Sequence, residues 1–197
     1  MARTDPYLGL AIEDWRVRTL DLIEEHPLEP GEVVDTVLDA WDRILTTRIA
    51  GELDIGVDVK PPPQMMGSFL DSVIAVDLAK RHPGVWRPHE AKSEKDLVYL
   101  PDDYFSTEIK TSSHKTQVFG NRSYAQPSLP GTKVRDGYYI TINFERFQDH
   151  DPPRIRRVGM GWLNHNDWVP QASPTGQQAA VRPAARVGKI VEIYSYS

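Results

Sequence analysis

The sequence contains no cysteine, which removes disulfides and thiolate metal sites and suits a reducing cytoplasm. Any metal must then be held by carboxylate, carbonyl, imidazole or water, a donor set that favours Mg²⁺, Mn²⁺ or Ca²⁺. It lacks an apolar run of about 18 residues, so no membrane span is expected. The opening stretch MARTDPYLGLAIEDW carries an early acid and no long apolar segment, unlike a secretory signal. A Gly-x-Ser-x-Gly elbow and a Walker loop are both missing, which argues against a serine hydrolase and a P-loop nucleotidase. There is no internal repeat. A basic excess is missing too, because 28 acids against 23 lysines and arginines leave a formal net charge of -5.

The acidic total conceals a polarity. Up to residue 54, thirteen acids face five arginines, so the rest of the chain carries a net charge of +3. From Ile109 to Arg135 there is no carboxylate at all, while Lys110, His114, Lys115, Arg122, Lys133 and Arg135 fall inside that gap. Binding to a polyanion depends on the face presented, so the net charge does not exclude nucleic acid.

With 197 residues the chain has enough material for one core of moderate size. A first helix is expected around Trp15 to Ile23. A second starts near Pro30, where Val33, Val37, Leu38, Trp41, Ile44 and Leu45 recur at helical spacing. Its acidic opposite face fits either a layer packed on the core or a dimerisation element. The prolines of VDVKPPPQ break the chain, and a third helix should run from about Met65 to Arg81. DLVYL, then PDD, then YFSTEIKT reads as strand, turn, strand. Residues 137–147 and 154–163 read as two more strands, and VGKIVEIYSYS as a last one. QPSLPGT and PQASPTGQQAAVRPAA read as loops, and FGN as a turn. Helices followed by several strands indicate a single α/β or α+β domain. The tryptophans Trp15, Trp41, Trp86, Trp162 and Trp168 are expected in the core.

Strand periodicity orders the chemistry of the central hairpin. Glu108 and Lys110 share one face and Ile109 takes the other. A turn near LPDD would bring Asp96 opposite them. Two adjacent acids repel unless a cation lies between them, and a hard divalent ion meets that need. A neighbouring lysine could then serve charge developing on a phosphate. Asp58-Val59-Lys60 and Glu90-Ala91-Lys92 offer the same tripeptide pattern. The first runs into prolines and the second lies in a solvated polar run. Only Glu108-Ile109-Lys110 follows an apolar strand bearing an Asp.

This Asp96 … Glu108-Ile109-Lys110 pattern resembles the PD-(D/E)xK nuclease superfamily. Lys95 stands where the superfamily usually has its proline. Gly67-Ser-Phe-Leu-Asp71 is similar to the Gly-x-x-x-Glu helix of MutH-like and many type II restriction enzymes, with Asp in place of Glu; Asp77 is the rival for that acid. EIKTSSHKTQVFGNRSYAQ resembles, more narrowly, type II restriction endonucleases of the ScaI-like group. The resemblance implies a restriction-endonuclease-like core over residues 64–197, a central mixed β-sheet flanked by helices. Residues 1–58 would form an N-terminal helical segment used for packing or dimerisation. It implies Mg²⁺, with Mn²⁺ as a substitute, held by Asp96, Glu108, the Ile109 carbonyl and Asp71. Lys110 would position or deprotonate the attacking water. Double-stranded DNA would be cut by a cytoplasmic, bacterial or archaeal homodimer, leaving 5′-phosphates. A MutH-like nicking or repair nuclease and an inactive DNA-binding scaffold are the alternatives.

DNA contacts are expected from Ser112, Ser113, His114, Lys115, Asn121, Arg122, Ser123 and Gln126. Asn and Gln suit adenine and Arg suits guanine in the major groove. Solvated loop structure is the plain alternative for each. Arg154, Arg156 and Arg157 could track a phosphate backbone.

Overall fold

The computed structural model describes residues 5–129, 131–173 and 175–196. Single residues of the expected N-terminal, loop and last-strand segments (1–4, 130, 174 and 197) lie outside it. The elements run α1 (Trp15–Glu24), α2 (Pro30–Leu45), β1 (Arg48–Ile49), β2 (Leu53–Asp54), α3 (Pro63–Arg81), β3 (Trp86–Pro88) and β4 (Leu97–Tyr99). They continue with β5 (Thr107–Ser112), β6 (Phe119–Asn121), β7 (Gly137–Phe144), β8 (Ile155–Leu163), β9 (Trp168–Pro170), β10 (Gln178–Val181), α4 (Pro183–Gly188) and β11 (Ile190–Ser195).

The main sheet has six strands in the order β11-β8-β7-β5-β4-β3. Only β5 and β7 pair in parallel, so the sheet is mixed. This is the restriction-endonuclease-like α+β architecture expected from the sequence. Every residue of β7 is buried, because both faces of the sheet are covered. On one face Ile140, Ile142 and Phe144 pack with Ile109 under α2 and α3. On the other, Tyr139 packs with Val118, Tyr124, Trp168, Ala179, Val181 and Ala185. That second cover is a three-stranded sheet, β6-β10-β9, backed by α4.

The helices form where the pattern places them. Pro30 and Pro63 open α2 and α3 in the first turn, where a missing N–H costs nothing. Met66, Leu70, Ile74 and Leu78 repeat every fourth residue and are all buried. Each such side chain stabilises the fold by roughly 1.5–3 kcal/mol. The helical layer joins itself by ion pairs: Arg43 with Asp77 at 2.6 Å, Arg81 with Asp39 at 3.0 Å, and His82 with Glu32 at 2.7 Å.

Two sequence expectations need correction. FGN is no turn but strand β6, and the segment read as a loop from 170 to 185 contains β10 and the start of α4. These strands are short, and β6 finds its partner β10 far along the chain, so composition hides them. Trp41, Trp86, Trp162 and Trp168 are buried as expected, while Trp15 is only half-buried.

His26 ties the helical layer to the strand that matters most. Its Nε2 lies 3.1 Å from both the Phe105 carbonyl and the Thr107 hydroxyl, and its Nδ1 accepts from Leu28 N at 3.1 Å. An accepting Nδ1 requires the neutral ring with the proton on Nε2. Burial pushes its pKa down from 6.5 to about 4. A depressed histidine contributes stability above its unfolded pKa and loses it as pH falls through the folded one. In urea unfolding, the stability of the wild type relative to His26→Gln should therefore decline from pH 6.5 to about 4. Parallel curves for the two proteins across that window would contradict this assignment.

Candidate active site

Strand β4 pairs with β5 only at Leu97 and Thr107, and beyond that point the β5 edge is open. An open edge leaves an N–H to be satisfied. Asp96, one residue before β4, supplies the acceptor: its Oδ2 receives the Ile109 N–H at 2.9 Å. Continuing the antiparallel register sets Asp96 beside Glu108. The parallel pairing of Glu108 with Tyr139 and Lys110 with Thr141 puts both side chains on the face covered by the small sheet, and Ile109 on the helical face. The alternation expected from the sequence is what occurs.

The charges converge tightly. Lys110 Nζ lies 2.5 Å from Glu108 Oε1 and 3.9 Å from Asp96 Oδ2. Lys133 Nζ lies 2.9 Å from Asp96 Oδ1 and 2.7 Å from Glu108 Oε2. The Tyr124 hydroxyl donates to Glu108 Oε1, and its ring lies 4.8 Å from the Lys110 ammonium. Glu108 is 1% exposed and Asp96 is 9% exposed. Burial pushes Glu108 upward, but the charges of Lys110 and Lys133 outweigh it and hold it at about 2. Burial likewise pulls Lys110 down, and Glu108 above all restores it to well above its ordinary value. The pair is a stable carboxylate and ammonium.

Asp71 approaches from α3. Burial, then the charge of Asp96, pushes its carboxyl up to about 7. Its Oδ1 is buried without a hydrogen-bond partner. The rival Asp77 is held by Arg43 in the α2–α3 contact and belongs to that packing. Gly67 explains how α3 comes so near: a Cβ there would stand 2.5 Å from Thr111 Oγ1.

Asp71 and Lys110 open onto a groove of about 950 Å³, behind which Asp96 and Glu108 are buried. Its walls include Asp71, Lys110, Ser112, Ser113, His114, Lys115 and Asn121, with Arg146 and Arg156 across from them. No wall residue comes from α1 or α2, where the acidic excess lies. Several expected contacts are partly committed to the fold. The His114 Nδ1 accepts from Thr116 N and Gln117 N, and Ser112 Oγ accepts from His114 N. Arg122, Ser123 and Gln126 are not among the groove walls. Arg122 Nη1 instead donates to the carbonyls of Gln171, Ser173 and Gly176, holding the β9–β10 loop. The second basic group is paired as well: Arg154 and Arg156 with Glu145, Arg156 with Asp149, and Arg157 with Glu192. It is no bare phosphate track, because each arginine meets an acid from a neighbouring turn or strand.

Sequence reasoning assigned no role to Tyr124 and Lys133. Lys133 was signalled only by its place in the carboxylate-free gap. Nothing in the sequence marked Tyr124, since its partner lies across a long connection.

The donor set fits a hard divalent ion. Asp96 Oδ1 and Glu108 Oε2 both lie against the Lys133 ammonium, at 2.9 and 2.7 Å, and share no other partner that would keep a cation from them. Among the described residues no three acids or histidines cluster to enclose a metal. A two-carboxylate site of this kind suits Mg²⁺, which keeps several waters.

Comparison with known proteins adds an independent finding. The family model for the ScaI restriction endonuclease matches residues 5–194. The type II restriction enzyme ScaI of Streptomyces caespitosus is 43% identical over 193 residues, covering 96% of this chain and 85% of that protein.

The close approach of α3 can be tested by stability. Gly67→Ala should cost about 1–3 kcal/mol in denaturant unfolding, as overpacking does. In a Thr111→Ala background, which removes the clashing hydroxyl, the cost should shrink. An equal cost in both backgrounds would place the clash elsewhere.

Proposed function

The chain belongs to the ScaI restriction endonuclease family, and from that premise we propose that it hydrolyses phosphodiester bonds of double-stranded DNA with Mg²⁺ at Asp96 and Glu108. The observation that carries this reading is the buried pair of acids with Lys110 beside them, Lys110 and Asp71 themselves lining the groove that also holds Lys115. Asp96, Glu108 and the Ile109 carbonyl would hold the ion, and Asp71 would orient the site or serve a second one. When bound, Mg²⁺ supplies electrophilic polarisation of the phosphate and offsets its charge.

The residues of the chain divide the remaining work. Lys110 is an ammonium, so in this reading it donates to the attacking water or to the phosphate oxygens and stabilises the charge that develops there. Between positioning and deprotonating the water, its ion pair with Glu108 favours positioning. In-line attack at phosphorus breaks the bond to the 3′-oxygen and leaves a 5′-phosphate and a 3′-hydroxyl. Ser112, Ser113, His114 and Lys115 would contact the backbone along the groove, and Asn121 the bases. A homodimer, with one site for each strand of a two-fold duplex, accounts for a double-strand cut. We place the protein in the cytoplasm of a bacterium or archaeon; no helix among the described residues is long and apolar enough to cross a membrane. Membership of the restriction endonuclease family favours this reading over the nicking and scaffold alternatives.

Plasmid digestion with Mg²⁺, followed by sequencing of the ends, tests the reading. Glu108→Gln and Lys110→Ala should each lower the rate by about a thousandfold or more without loss of folded structure by circular dichroism. Wild-type cleavage that persists in excess EDTA would refute the metal assignment. Lys115→Ala should weaken binding to all duplexes alike and reduce the slope of log affinity against log salt by about one. Such binding, measured with Ca²⁺ and showing no change of slope, would remove Lys115 from the interface.

A further inference from the structure

Lys133 lies in the segment between the short helix Arg122–Ala125 and β7. It reaches the two acids on the side that Lys110 leaves free. The Ile109 N–H has claimed Asp96 Oδ2, and Lys110 and Tyr124 have claimed Glu108 Oε1. The remaining oxygens, Asp96 Oδ1 and Glu108 Oε2, both face the Lys133 ammonium. A divalent ion shared by the two acids needs the same oxygens.

We propose that Lys133 is a second active-site lysine, one that competes with the divalent metal for Asp96 and Glu108 and, once displaced, is free to meet the scissile phosphate. This rests on the nuclease reading above. Charge supplies the reason. Asp96, Glu108 and the two ammoniums balance, whereas a dication added beside both ammoniums leaves an excess of two positive charges in a mostly buried site, or of one when Asp71 is ionised, at high cost. Removal of Lys133 to the groove relieves that excess, and a phosphate arriving there gives the ammonium a new partner.

The segment is built for such a movement. Its base is fixed, with Arg135 N donating to Ser128 Oγ at 3.1 Å and Lys95 Nζ donating to the Asp136 carbonyl at 2.9 Å. Toward its tip the segment is tied only to itself, Thr132 donating twice to the Leu129 carbonyl, and Thr132 and Val134, on either side of Lys133, are exposed. The tip can leave the acids without uncovering a core. Metal and DNA then favour one another, because each stabilises the arrangement in which Lys133 has left the acids, and the coupling is reciprocal.

The test measures binding and labelling without cleavage. Calorimetric titration with Ca²⁺, in the absence of DNA, should show Lys133→Gln binding about tenfold or more tighter than wild type, with the exposed Lys92→Gln unchanged. Loss of a nearby positive charge would tighten binding even without displacement, so a second measurement on the wild type is needed. Reductive methylation read by mass spectrometry should label Lys133 faster once Ca²⁺ saturates the site, while labelling of Lys115 stays constant. Tighter Ca²⁺ binding by Lys133→Gln with no change in wild-type labelling would overturn the displacement. Wild-type binding of Ca²⁺ with neither effect would overturn the inference alone and leave the nuclease reading standing. No Ca²⁺ binding by any form would overturn the metal site and this inference with it.

Discussion

Glu108 is a carboxylate with 1% exposure, and an isolated charge at such a depth would cost several kcal/mol or more. The protein keeps it ionised by surrounding it. Lys110 and Lys133 supply opposite charge, and the Tyr124 hydroxyl supplies a directed donor. Each of these partners needs support of its own. Tyr124 rests on Trp168 with ring centroids 5.2 Å apart, and a Cβ at Gly120 would come within 2.9 Å of its ring. Trp168 starts β9, so the small sheet is the wall that holds Tyr124 against the acid. Arg122, two residues before Tyr124, fastens the same wall through the β9–β10 loop. The arginine that the sequence offers as a base reader thus also serves the frame.

Much of the site was legible because strand geometry is local. Asp96, Glu108 and Lys110 need only a hairpin and a period of two to be placed, and Gly67 with Asp71 needs only one helical turn. The central mixed sheet and its helices followed from the order of patterned segments. The small sheet did not, since β6, β9 and β10 are three or four residues long and pair across connections of more than forty residues in one case. Tyr124 and Lys133 escaped for the same reason. Their meaning comes from contacts 16 and 37 residues away in the chain. The basic group Arg154 to Arg157 shows the opposite limit, because sequence counts charges and says nothing of the acids folded beside them.

The charge polarity of the chain is resolved by where the acids are spent. Glu32, Asp39 and Asp77 are consumed in pairs with the end of α3 and with Arg43. Exposed pairs of this kind add little stability, so their value lies elsewhere. They keep the acidic excess on the helical side, while the groove is walled by residues from Pro63 onward. A polyanion approaching the groove therefore meets Lys110 and Lys115, with Arg146 and Arg156 paired to Asp149 on the same wall, before it meets the bulk of the negative charge, despite a net charge of -5.

Lys95 shows how a departure from the superfamily pattern can be absorbed. A proline before Asp96 would stiffen the approach to the acid. Lys95 does something different: it is buried, and burial pushes its pKa down to about 8, yet its ammonium reaches the Asp136 carbonyl. The space it uses exists because residue 137 is a glycine at φ +142°; a Cβ there would lie 1.9 Å from Lys95 Nζ. Lys95 and Gly137 thus form one device, joining the strand that bears Asp96 to the start of β7. That junction also closes the segment carrying Lys133. The residue before the first acid and the segment that brings the second lysine are mechanically linked, so the position of Asp96 and the reach of Lys133 are set by the same contact.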